Sequence, residues 1–169
     1  MSYETGGHTR LINNIVRFDK QYRHSLIVNY PSLCKVPEWL EKTIKESGGT
    51  VFYNTAFNLI EKAQYLYEIS SEFEFTFCYL HTWEVVTPLA FYSKHKTNVF
   101  FYNQADHLFN IGMGCAEYIF DMSKAGCYIT NTFRIPNKSI ILPIPINVSL
   151  EEKRVNKKQL AGYGIIPDT

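Results

Sequence analysis

Two short stretches hold the residues whose types and spacing are best suited to chemistry. In TGGHTR, residues 5–10, the adjacent pair Gly6 and Gly7 stands directly before His8 and Arg10, at the mouth of an amphipathic run. Glycine lets backbone approach a ligand closely and the first N–H groups of a helix attract anions, so this stretch reads as a phosphate site. His8 and Arg10 lie within one turn of the loop, where a cation meets a phosphate or an acceptor anion. The plainer alternatives are a tight turn for the glycines, a solvated surface role for Arg10 and a helix-capping hydroxyl for Thr9.

The second stretch is YNQADHLFNIG, residues 102–112. Asp106 and His107 lie just after the apolar run NVFFYN, past the carboxyl end of an expected strand, where open parallel sheets place their ligand sites. An Asp capping the next helix and a His packed beside Phe109 is the competing reading. His81 and Glu84, in FCYLHTWE, also lie past a strand end. Asn103 offers an amide to sugar hydroxyls or simply a turn, and Arg134, in TFRIP, offers a partner to an acidic group or a surface charge. His24 and His95 carry no motif and read as structural.

The elements that must position these residues follow from periodicity. Leu11, Ile12, Ile15 and Val16 make one helical face, and HSLIVNY after them is a short strand. VPEWLEKTIKESGG reads as a helix with Pro37 in its first turn and Gly48 at its stop, followed by strand TVFYN. NLIEKAQYLYEISSEF reads as a third helix and EFTFCYL as a strand; EVVTPLAFYSKHK then reads as helix, NVFFYN as strand, NIGMGCAEYIFDMSKAG as helix and SIILPIPI as a last extended run. Strands beginning near residues 25, 50, 74, 98 and 139, with helices between them, predict right-handed βαβ crossovers. The expected fold is α/β, Rossmann-like and doubly wound, with a mainly parallel sheet and helices on both faces. A phosphate loop in such a fold follows a first strand, yet MSYET is too short and polar to be one, so that strand is expected to be missing from the sheet.

Composition limits the partners. The 169 residues are 46% hydrophobic and 15% aromatic, enough for one packed domain, and 17 basic against 16 acidic side chains give a formal charge of +1. That balance argues against a dedicated nucleic-acid surface or a polybasic membrane anchor. Cys34, Cys78, Cys115 and Cys127 form no CxxC pair, and no His cluster has zinc-finger spacing, so reduced thiols are expected and neither a metal nor a disulfide framework. No secretory signal or spanning segment is read, which predicts a cytoplasmic location, and the sequons at Asn137 and Asn147 are then chance matches.

Taken in order, TGGHTRL, YNQADHLFNIG and IILPIPI running into EEKRVNKKQLAGYGIIPD make the chain resemble the N-terminal domain of bacterial GT-B glycosyltransferases. The resemblance implies residues 1–148 as the acceptor-side, Rossmann-like domain and 149–169 as a linker toward a C-terminal domain that holds most of a nucleotide-sugar donor. It implies hexosyl transfer to a saccharide or other acceptor, as in polysaccharide biosynthesis, without a metal or a resident cofactor. It further implies that Gly6 and Gly7 approach the donor phosphates and that His107 contacts the donor sugar near the reacting centre, with Asp106 orienting its ring. His8, Arg10, His81, Glu84, Asn103 and Arg134 are then candidates on the acceptor side. The rival is a non-enzymatic doubly wound ligand-binding or regulatory domain, which the same rhythm fits. A dinucleotide oxidoreductase would need GxGxxG, which TGGHTR does not supply.

Overall fold

The computed structural model describes residues 6–33, 35–93 and 97–145. The expectations for MSYET, for His95 and for the 149–169 linker lie outside those residues. Helix α1, Gly7–Phe18, buries Leu11 and Val16 on the face read from the sequence but starts at Gly7, ahead of Leu11. Gly6 is its cap, extended at φ −71 and ψ 145, and no side chain caps it. Thr9 is therefore inside the first turn and not a cap, and its hydroxyl is buried without a hydrogen-bond partner.

Strand β1, Leu26–Val28, leads to helix α2, Glu38–Glu46, which buries Leu40 and Ile44 while Trp39 stays exposed. Its end shows why SGG stands there. Gly48 takes φ +81 and donates to the Lys45 carbonyl, and Gly49 donates to the Ile44 carbonyl, the paired bonds of a Schellman stop. Strand β2, Val51–Tyr53, follows, then helix α3, Leu59–Ser70, capped by the Asn58 side chain on the Glu61 N–H. Strand β3 is Phe75–Cys78 and helix α4 is Val86–Phe91, shorter than its sequence pattern. Strand β4, Asn98–Asn103, is the longest, with Val99, Phe100, Phe101 and Tyr102 standing between its two polar ends.

The stretch NIGMGCAEYIFDMSKAG, expected as one helix, is instead three elements. A 3-10 turn at Ile111–Cys115 gives way to strand β5, Tyr118–Asp121, and to helix α5, Lys124–Ile129, which continues as a π turn through Thr130–Arg134. Gly112 and Gly114 weaken a helix, Tyr-Ile-Phe favours a strand, and the Ser123 hydroxyl accepts from the Gly126 N–H to start α5 afresh. Strand β6, Ser139–Ile141, closes the described fold.

Every strand pair is parallel, as the α/β rhythm predicts, but the described strands form two sheets: β1 with β2, and β3-β4-β5-β6 in sequential order. One face of the larger sheet packs Cys78, Val99, Phe101 and Ile119 against α3 and α4 side chains such as Leu66 and Phe91. The other carries touching rings of Phe75, Phe77, Phe100, Tyr118 and Phe120, with Phe77 still 43% exposed. A separate small core joins Val16, Val28, Val36, Leu40 and Ile44.

Candidate functional site

The carboxyl ends of β3, β4 and β5 gather the polar residues. At their base, the register sets Asn103 opposite Asp121. Both are fully buried; the Asn103 amide donates to Asp121 Oδ1 at 2.7 Å, the Ser139 hydroxyl donates to Asp121 Oδ2, and the Asn110 amide reaches Asn103 Oδ1 at 3.5 Å. Buried polar groups are tolerable only when paired, and this chain pairs them across three strands. Asn103, read from the sequence as a sugar-binding amide or a turn residue, is thus fully buried, with both ends of its side chain hydrogen-bonded inside the protein.

Above this base, the loop after β4 presents Gln104, Asp106 and His107. The Arg134 guanidinium, carried in by the π turn, donates from Nη2 to the Asp106 carbonyl, while its Nη1 is buried without a hydrogen-bond partner. Arg134 therefore holds loop backbone, and among the described residues it has no carboxylate partner. The Asp106 and Asp121 carboxylates converge on Gly126, where an added Cβ would lie 3.2 Å from Asp106 Oδ2 and 3.0 Å from Asp121 Oδ1. His107 Nδ1 lies 3.6 Å from Asp106 Oδ1 and the ring is 74% exposed, an ion-pair distance too long for an orienting hydrogen bond.

The N-terminus of α1 meets this loop directly. The half-buried His8 ring lies beside the Gln104 side chain and within electrostatic reach of His81. Burial, with His81 adding to it, holds the His8 pKa below its ordinary 6.5, so His8 is a neutral imidazole near neutral pH and not the cation its position suggested. His81 is exposed, past the end of β3. Arg10 is exposed on α1. Glu84 serves the fold: its carboxylate accepts from the Val86 and Thr87 N–H groups at 2.8 and 2.9 Å, capping α4, and it lies near the Tyr30 hydroxyl, whose pKa is raised chiefly by burial.

Gly7 differs from Gly49 of the second glycine pair. Gly49 is required by packing, since an added Cβ would sit 1.6 Å from the His24 carbonyl oxygen; Gly7 has nothing within 4 Å of that point and no left-handed φ. Gly7 at the mouth of α1 meets no steric demand from the described fold, and among the described residues no side chain caps the helix's first N–H groups. The arrangement can accept an anion on these N–H groups beside a neutral imidazole, with His81, Asp106 and His107 along the rim.

Gln104, Asp121 and Gly126 join the site without having been singled out in the sequence. Gln104 stands inside YNQADHLFNIG, directly after β4, and Asp121 becomes visible once β5 is recognised. Among the described residues no cluster of His, Cys, Asp and Glu could hold a metal ion, and no helix is long and apolar enough to cross a membrane. Comparison with protein-family models, with curated proteins and with solved structures found no match to this chain.

Proposed function

We propose that this chain is the N-terminal, acceptor-side domain of a GT-B glycosyltransferase, taking part in hexosyl transfer from a nucleotide sugar to a saccharide or related acceptor. The observation that carries the reading is the mouth of α1: Gly7, which the described fold does not require, on a first turn for which no side-chain cap is described, next to His8 beside Gln104. A departing diphosphate needs preorganised donors where its charge grows, and helix N–H groups provide them without reorganisation. In this reading His8 contributes a neutral hydrogen bond to the same region, and exposed His81 and Arg10 meet the acceptor. His107, on the rim above the buried Asn103–Asp121 base, contacts the donor sugar, and Arg134 fixes the loop that carries it by holding the Asp106 carbonyl. No metal is assigned a step.

The test is an NMR titration of the chain with uridine- and guanosine-diphosphate hexoses up to about 10 mM, suited to a half-site with weak affinity. Amide shifts at Gly6, Gly7 and His8, with ring shifts at His81 or His107, are expected. Silence at those positions, or shifts centred elsewhere, overturns the reading.

A further inference from the structure

Past the end of β3 the chain makes a tight turn, His81–Glu84, closed by the Glu84 N–H donating to the His81 carbonyl at 3.0 Å. The surroundings of this turn fix it in place. Leu80, just ahead of it, packs on the main core, its Cδ1 3.2 Å from the point where a Cβ on Gly112 would lie. Thr82, inside the turn, is 7% exposed, and its carbonyl accepts from the Ile111 N–H of the neighbouring loop at 3.4 Å. Glu84, the last residue of the turn, caps α4 with its carboxylate. What the turn presents to solvent is Trp83, 75% exposed, two residues after exposed His81.

A lone exposed apolar residue is ordinary and calls for no explanation. Trp83 is set apart by the rigidity of its turn and by its neighbours. Trp83, His81 and His8 line one cavity, so the indole shares a space with the mouth of α1. The next loop, joined to the turn through Ile111 and Thr82, carries Asp106, His107 and the exposed ring of Phe109. Aromatic planes interleaved with imidazoles and a carboxylate suit a ligand with a flat apolar face and a hydroxylated rim. A pyranose is such a ligand: its C–H groups pack on a ring while its hydroxyls take hydrogen bonds. An anionic lipid surface would instead call for basic residues among the rings, and this rim carries the Asp106 carboxylate. Tryptophan also suits the task because it has few rotatable bonds to order, and a backbone already fixed by the turn lowers the cost of binding further.

We propose that Trp83 is the stacking platform for a neutral pyranose of the acceptor, with His81 taking hydrogen bonds from or giving them to its hydroxyls. The proposal rests on the sugar-transfer reading and deepens it. It makes the acceptor a neutral oligosaccharide read by ring stacking, and it makes Trp83 a specificity-determining residue that does not touch the diphosphate.

The chain has two tryptophans, and the other, Trp39, lies on α2, so Trp39→Phe leaves Trp83 as the sole indole reporter. Its emission is titrated with maltotriose, cellotriose, mannotriose and chitotriose up to about 50 mM, and with uridine and guanosine monophosphates as nucleobase probes. A saturable blue shift is expected with at least one trisaccharide, together with protection from acrylamide quenching, and no response to the monophosphates. In the otherwise unmodified chain, followed by NMR, Trp83→Ala should weaken the same trisaccharide by at least about tenfold and Trp83→Phe by less. Amide shifts at Gly6 and Gly7 with the nucleotide hexoses should persist in both variants. The fluorescence titration needs no change at Trp83, and the unmodified chain with both indoles repeats it, so the result does not depend on a variant folding. The proposal is overturned if no trisaccharide gives a saturable response, if Trp83→Ala binds it as tightly as the unmodified chain, or if a nucleoside monophosphate protects the indole equally well. If the nucleotide-hexose shifts at Gly6 and Gly7 remain in those cases, the stacking subsite fails and the sugar-transfer reading stands; if they are missing too, both fail.

Discussion

At the residue scale, the two glycine pairs separate fold from function. Gly49→Ala places a methyl against the His24 carbonyl and should cost more than about 2 kcal/mol, read as a lowered urea midpoint. Gly7→Val adds its side chain to open space at a helical position and should change stability by less than about 0.5 kcal/mol. If Gly7 admits a diphosphate, the same change should abolish the nucleotide-sugar shifts at Gly6 and His8; intact shifts in Gly7→Val would remove the close-approach role. His8 carries a pH signature of determined sign. Its pKa is lowered in the folded protein, chiefly by burial, so below about 6.5 the unfolded chain binds more protons than the fold and stability falls with pH. Urea midpoints taken from pH 7.5 to pH 5 should therefore drop less in His8→Gln than in the unmodified chain. An equal drop in both would show that the ring is not held neutral by its surroundings.

At the scale of elements, the carboxyl edge depends on β5 being a strand. Asp121→Ala removes the acceptor shared by Asn103 and Ser139 and leaves the Asn103 amide buried and unpaired, so a loss of about 2–3 kcal/mol in chemical unfolding is expected. A change within error would mean that water takes over these bonds. The same element marks where sequence reading stopped. Ile111, Cys115, Ile119 and Met122 recur at helical spacing, so a turn, a strand and a helix start read as one amphipathic helix. Asp121 and Gly126 were lost with it. The other strands were legible because apolar runs such as LIV and VFF sit between clear helix signals. Gly48 was legible because its left-handed φ is a local demand. Gln104 was not, because its partner His8 lies far away in the chain and only the fold brings the two side chains together. Glu84 was seen without its capping role, since an acidic residue past a strand end serves a ligand or the next helix equally well, and here its carboxylate caps α4.

At the scale of the whole molecule, a GT-B reading makes the carboxyl edge one wall of a cleft and assigns the other wall to a donor-binding domain. The rim residues have the exposure that such a wall requires: His107 is 74% exposed on its side chain and Phe109 is 77% exposed. Exposure also weakens them. Each contact to a diphosphate made in high dielectric is worth a fraction of the same contact in a closed site, and an open face cannot exclude water or hold an acceptor hydroxyl in line. The 169-residue chain by itself should therefore transfer no sugar and bind nucleotide sugars more weakly than about 1 mM, however well it folds. Joined to a donor-binding domain it should turn over, and there His107→Ala should lower kcat more than it raises KM, because the contact is made near the reacting centre. Calorimetry and a product assay on the chain alone, across a panel of nucleotide sugars, check the first expectation. Sub-millimolar binding accompanied by turnover would show that one wall suffices and that the two-domain reading is wrong.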